Sequence, residues 1–199
     1  PTLAFQASGI EGIKVRITAK SPDESSAESI LSAEEGLIRS MLGDVIFGID
    51  EESMETVVLN MLGERGMSLA IAEGLTGGVM ASRLSEIDQR MAIFRGGTVG
   101  TEIENHDLGG EAAASAAATQ ARQRFGTDVG IAVATARPQD EQPRATVYVC
   151  LDINGEAYTQ TVSLPGDRNR FRNYAVINAL NFLRRTLMHG RSDTLPPFR

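Results

Sequence analysis

The stretch Ala72-Glu73-Gly74-Leu75-Thr76-Gly77-Gly78 places small and polar residues where a backbone can meet an anion or a polar ligand. It follows a short apolar run, Met67–Ile71, and precedes Val79–Leu84, whose apolar residues have helical spacing. A strand, a Gly-rich turn and a helix start are therefore expected within about twenty residues. The first N–H groups of such a helix lack partners inside it, and glycine lets a ligand come close to them. The same residues are also ordinary turn formers, so the pattern alone leaves both readings open.

Other reactive side chains are few. The single cysteine, Cys150, falls in the strand-like run Ala145–Leu151 and reads as a buried thiol in a reducing cytoplasm, with no base beside it to activate it. The only lysines are Lys14 and Lys20, and beyond them the basic residues are arginines and two histidines. Arginine cannot serve as a base because its pKa stays above ~12. His106 could titrate near neutrality but has no serine or cysteine beside it, and reads as a solvated loop residue. His189 reads as a favourable charge near the C-terminal end of the last helix.

The elements that must position these residues can be read in order. Thr2–Phe5 and the alternating Ile13–Ala19 read as strands. Ser25 with Glu28 forms a capping-box pattern before a helix whose apolar face carries Ile30, Leu31, Leu37, Ile38, Met41 and Leu42, and Val45–Ile49 reads as a further strand. Asp50-Glu51-Glu52-Ser53 reads as a helix start, with Met54, Val57, Val58, Met61 and Leu62 as its stripe. A strand around Ile93–Val99, an Ala-rich helix over Glu111–Phe125 and a buried strand over Asp128–Ala134 follow. Asn154-Gly155 marks a hairpin between Ala145–Asp152 and Ala157–Leu164, and Asp167 is placed to cap a long last helix. The sequence thus predicts a small α+β module over 1–49, a layered α/β domain with a mixed sheet over 50–190, and an irregular tail over 191–199.

Charge limits the partners. Residues 1–64 carry four basic against twelve acidic residues, whereas 65–199 are nearly balanced. An acidic first third is a poor electrostatic partner for a phosphate backbone, so nucleic acid is not the expected partner. No apolar run is long enough to span a membrane, and no cofactor or metal motif is present. The Ala-rich and Met-rich helices offer flat apolar faces, from which a homodimer is expected.

Three segments together resemble a known family. Ala72–Gly78 is similar to the A-E-S-C-T-G-G signature of the C-terminal domain of CinA (competence/damage-inducible) proteins, and Ala92–Val99 to that family's A-x-F-R-G-G-V-V segment. Gly166-Asp167-Arg168 with Arg172 is similar to its G-D-R-x-x-x-R helix start. The order and spacing agree over about residues 65–189. The first 49 residues resemble part of the KH-like module found in the middle of CinA proteins. The resemblance implies a nicotinamide mononucleotide amidohydrolase fold, and an upstream domain of the same protein that is molybdopterin-binding-like.

The activity the family implies needs a nucleophile, a group that activates it, and donors for phosphate and oxyanion. The resemblance places the nucleophile as a serine just before A-x-F-R-G-G, with a tyrosine and a lysine downstream. The matching positions hold Met91, Thr101 and His106. A thioether neither loses a proton nor attacks a carbonyl. The signature's S-C is replaced by Gly74-Leu75, and the family's glycine-rich G-I-A-G-P-x-G-G loop is reduced to Thr135–Asp140. What the pattern leaves as candidate ligand contacts is Glu73, Thr76, Gly77, Gly78, Arg95, Arg168 and Arg172. Arg168 is placed either to pair with a phosphate or to form a structural ion pair. The expectation is a degenerate, non-hydrolytic domain with a structural, dimerising or regulatory role. An active or altered deamidase and a nucleotide-binding module that does not cleave are the alternatives.

Overall fold

The computed structural model describes residues 1–7, 9, 12–100, 110–135, 144–165 and 168–190, with the backbone alone at 144–145, 164–165 and 168–169. Residues Pro1–Ser53 and Met54–Arg199 form two compact units.

In the first unit, strands β1 (Thr2–Ala7) and β2 (Ile13–Thr18) pair antiparallel and are followed by helix α1 (Glu24–Leu42). The cap of α1 is Asp23, whose carboxylate accepts the Ser26 N–H at 2.8 Å, rather than the expected Ser25–Glu28 box. An aspartate in extended backbone one residue before the helix reaches the open N–H groups more directly. The strand expected over Val45–Ile49 does not form. Gly43–Val45 make a 3-10 turn, the sheet of this unit has two strands, and Val45 remains 72% exposed. The Ile46 N–H donates to the Gly43 carbonyl at 3.2 Å, so the start of this run is closed into a turn instead of extended for pairing. Gly9-Ile10-Glu11-Gly12, between β1 and β2, has the G-x-x-G spacing of an RNA-backbone clamp. It joins strands and carries the acidic Glu11, so its charge works against a phosphate.

The second unit begins with α2 (Met54–Glu64), one turn later than the acidic run suggested. Asp50 has φ 50° and Glu52 accepts the Ile49 N–H at 2.9 Å, so these residues form a turn ahead of the helix. There follow β3 (Leu69–Glu73), α3 (Val79–Ile87), β4 (Phe94–Val99), α4 (Gly110–Phe125), β5 (Val129–Thr135), β6 (Arg144–Ile153), β7 (Glu156–Pro165) and α5 (Arg168–His189). The sheet order is β4-β3-β5-β6-β7, parallel among the first three strands and antiparallel beyond. The fold is α/β with a mixed sheet. The β6–β7 turn has Asn154 and Gly155 both in left-handed conformation, which is the geometry an N-G hairpin requires.

Helix α4 packs on one face of the sheet, while α2, α3 and α5 pack together with α5 on the other. The α4 face is built from small residues. Ala114, Ala117, Ala118 and Ala121 lie against Ala70, Ala72, Ala132, Ala134 and Cys150. The approach is so close that a Cβ on Gly130 would overlap the Ala118 carbonyl. The Ala-rich face is therefore spent inside the domain. Met54, Val58 and Leu62 of the Met-rich helix are likewise buried. The expected homodimer loses the two surfaces from which it was inferred.

Beta-strands β3, β4 and β5 run parallel and end on one side, the carboxyl edge of the sheet. In register, Glu73 stands beside Val99 and Val133 there. The α3 crossover from β3 to β4 and the α4 crossover from β4 to β5 lie on opposite faces. Strand order thus reverses at β3, and the crevice beyond its carboxyl end is where open α/β sheets bind ligands.

Candidate functional site at the carboxyl edge of the sheet

The Gly-rich turn follows β3 at this edge. Gly77 (φ 59°) and Gly78 (φ 93°) both adopt left-handed backbone, which lets the chain reverse from β3 into α3 within a few residues. The N–H of Gly74 donates to the Val133 carbonyl at 3.2 Å, and that of Gly100 to the Glu73 carbonyl at 3.0 Å. The ends of β5 and β4 are thereby tied to the start of the turn. Val99 Cγ2 also lies 3.8 Å from where a Cβ on Gly78 would sit.

The helix N-terminus is not open. The Glu73 side chain is fully buried, and its carboxylate accepts the N–H groups of Gly78 at 3.1 Å, Met80 at 3.0 Å and Ala81 at 2.8 Å. Those are the orphan donors of α3, and the protein's own anion occupies the place an external one would take. Glu73 therefore faces backbone rather than the crevice. Thr76 is also fully buried, with no hydrogen-bond partner for Oγ1. Gly77 is the exposed member of the turn.

Arg172, one turn into α5, reaches this turn from the other end of the chain. Its Nε donates to the Leu75 carbonyl at 3.1 Å, and Nη2 lies 2.9 Å from where a Cβ on Gly77 would stand. The guanidinium is half-buried against the glycine. Glycine at 77 is thus needed twice, for its φ and for the room it leaves to Arg172. The side chain of Arg168 lies outside the described residues, as do Thr101, His106, Asp167 and the loop 136–143.

Met91 and Arg95 lie elsewhere. β4 begins at Phe94, opposite Leu69, at the amino end of the parallel strands. Glu73 is four residues along β3 from Leu69, roughly 13 Å at ~3.3 Å per residue. The Asp88 carboxylate organises this far corner by accepting the N–H groups of Ala92, Ile93 and Phe94 at 3.0, 2.7 and 2.8 Å. Burial raises the Asp88 carboxyl, but the N–H groups of Ile93, Phe94 and Ala92 and the Arg95 charge outweigh it and hold it below the usual range. Arg95 is exposed, with Nη1 donating to the Met91 carbonyl at 3.1 Å, and Met91 itself is left-handed (φ 51°).

The structure thus brings Glu73, Thr76, Gly77 and Gly78 together with Arg172, and leaves Met91 and Arg95 at the opposite end of the same strands. The signature position that carries a hydroxyl in the family and lies at the carboxyl edge is the one filled here by Gly74. Sequence spacing alone gave no signal for this. It needs the knowledge that β3 and β4 are parallel neighbours, which puts a residue just before β4 far from a residue just after β3. Cys150 is buried under α4, its thiol pushed up to about 12 by burial and by the Glu111 charge. No metal-holding cluster of His, Cys, Asp or Glu occurs among the described residues, and none of their helices is long and apolar enough to cross a membrane.

Comparison with known proteins agrees with the architecture. Residues 51–187 match the family model of the CinA C-terminal domain. A CinA-like protein of Frankia casuarinae is 38% identical over 204 residues, covering 94% of this chain and 47% of that protein. One from Dictyoglomus thermophilum is 35% identical, covering 95% of this chain and 50% of that protein. The chain spans about half the length of these curated relatives. Among solved structures, a competence-damaged protein (CinA) superfamily protein of Klebsiella pneumoniae superposes with TM-score 0.62 at 25% identity, covering 68% of this chain and 96% of that one. The competence/damage inducible protein CihA of Agrobacterium tumefaciens shares the fold at TM-score 0.58 and 21% identity, covering 72% of this chain and 99% of that one. The chain therefore belongs to the CinA family, and residues 51–187 are its CinA C-terminal domain.

Proposed function

We propose that this CinA C-terminal domain is a non-hydrolytic member of its family, acting as a structural, dimerising or regulatory module beside an upstream domain of the same protein. The observation that carries the reading is the make-up of the carboxyl edge. At the turn where β3, β4 and β5 end, Gly74 supplies no side chain and Thr76 Oγ1 is sealed from solvent. The Glu73 carboxylate is committed to three backbone N–H groups. No lysine follows Lys20 anywhere in the sequence. Among the described residues this edge offers amide hydrolysis no accessible nucleophile, and the sequence after Lys20 holds no lysine to supply a basic amine.

A second reading, a nucleotide-binding module that does not cleave, draws on Arg172. A guanidinium held at an exposed glycine turn suits a phosphate. Calorimetric titration with nicotinamide mononucleotide, with product followed in the same samples, separates the readings. No heat and no product supports the structural role. Saturable heat without product supports the binding module. Formation of the deamidated nucleotide contradicts both.

A further inference from the structure

Seven methionines are spread along the chain. Among the described residues Met41, Met91 and Met188 stand exposed, whereas Met54 and Met80 are buried. Met188 lies in the last turn of α5, where its thioether meets a buried cation. Nη1 of Arg184, one turn earlier, donates to Met188 Sδ at 3.5 Å, although Met188 is 42% exposed and Arg184 only 3%. Nε of the same guanidinium donates to Asn181 Oδ1 at 3.0 Å, which anchors it from the other side. The pair spans the end of the helix, where the carbonyls of the final turn lack donors within the helix and the backbone opens most readily. Arg65 supplies one such donor, from Nη2 to the Leu187 carbonyl at 3.3 Å. A thioether sulfur is a weak acceptor for a charged N–H.

We propose that Met188 is a site of reversible oxidation, and that its sulfoxide locks the end of α5 through Arg184. The oxidant is hydrogen peroxide. A sulfur lone pair attacks one peroxide oxygen, and the O–O bond breaks as the S–O bond forms. The departing hydroxide takes the remaining proton and leaves as water, so the sulfur loses the two electrons that the peroxide gains. The unbranched, exposed side chain turns until the new oxygen faces Nη1, at the ~2.8 Å of a charge-assisted hydrogen bond. Oxidation of a buried methionine such as Met80 would put a polar group into the core and disrupt it. At Met188 the polar group arises at the surface with a buried guanidinium already beside it. A sulfoxide reductase reverses the step, as two thiols become a disulfide and the oxygen leaves as water.

The test uses the 199-residue chain carrying Met41→Leu and Met91→Leu, which leaves Met188 as the exposed methionine among the described residues. After mild peroxide treatment, peptide mapping should find one added oxygen, at Met188. Amide hydrogen exchange in the last turn of α5 should then slow about fivefold, the gain expected when a weak neutral acceptor gives way to a strong one for a charged donor. Met188→Gln, whose amide oxygen stands in for that of the sulfoxide, should slow exchange without peroxide, and Met188→Leu should hasten it. In Arg184→Gln the peroxide effect should vanish, with circular dichroism checking the fold; should that variant not fold, the contrast between Met188→Gln and Met188→Leu decides. A Met188 that stays unoxidised while Met41 of the unmodified chain takes up oxygen overturns the proposal. So does a sulfoxide that leaves exchange in the last turn unchanged or faster, or a Met188→Gln that behaves as Met188→Leu.

Discussion

The Glu73 carboxylate accepts the Ala81 N–H at 2.8 Å, joining the last residue of β3 to the first turn of α3. With the N–H groups of Gly78 and Met80 on its other oxygen, one buried anion satisfies most of the donors that a helix normally leaves open. Glu73→Ala should cost about 2–4 kcal/mol, because three buried N–H groups lose their charged acceptor at once. Glu73→Gln keeps one acceptor oxygen and should cost about half as much. Equilibrium urea unfolding measures both, and a loss below about 0.5 kcal/mol for Glu73→Ala would show that the N–H groups find other partners.

Two glycines separate backbone strain from packing. Gly77→Ala should cost about 1 kcal/mol for its left-handed φ, and part of any extra loss should vanish in combination with Arg172→Ala, since the new methyl meets a movable guanidinium. Gly130→Ala should cost 3 kcal/mol or more, on the order of severe overpacking, because the methyl meets the Ala118 backbone. The ranking is the prediction. Equal losses at the two sites would mean that α4 can move away from the sheet.

The Asp128 carboxylate accepts both the Oγ–H and N–H of Ser68, at 2.7 and 2.8 Å, and those bonds hold its pKa below the ordinary value. A depressed folded-state pKa contributes stability that is complete above the unfolded value near ~3.9 and is lost as pH falls through the folded value. Asp128→Asn should therefore be destabilising at pH 7 and should flatten the fall in stability below about pH 4. Denaturation midpoints at pH 7, 4 and 3 check it, and parallel pH curves for the two proteins would contradict it.

Cys150 should be silent to thiol reagents in the folded protein. With its pKa pushed up to about 12, the thiolate fraction at pH 8 is on the order of one in 10⁴ even before access is considered. Reaction with a chromogenic disulfide should appear only in denaturant. Stoichiometric labelling within seconds under native conditions would show that α4 lifts from the sheet.

Much of this fold is written locally. The N-G pair at 154–155, the Ala-rich run that becomes α4, and the apolar run that becomes β5 each specify their element by chemistry within a few residues. Val45–Ile49 forms no strand because its start is closed into the turn at Gly43–Ile46, which the β-propensity of the run does not encode. The Ala face misled for another reason: an apolar helix face looks the same in sequence whether it meets its own sheet or another subunit. At the site, the turn at 77–78 was legible from its glycines. The capping role of Glu73, the seating of Arg172 on Leu75 and the remoteness of Met91 were not. The first depends on how the Gly-rich turn folds N–H groups five to eight residues ahead back onto Glu73. The second depends on residues ninety-seven positions apart, and the third on the parallel pairing of β3 and β4.

The central claim, that the carboxyl edge is present but does not hydrolyse, is tested most directly by ammonia release from nicotinamide mononucleotide. The 199-residue chain at micromolar concentration, with substrate at millimolar, should release ammonia no faster than buffer, because a catalytic unit that lacks a nucleophile and an amine loses orders of magnitude in rate. Met91→Ser should change nothing, since position 91 lies at the other end of the strands. Turnover by the unmodified chain at ordinary enzymatic rates, about 1 s⁻¹ or faster, would contradict the account.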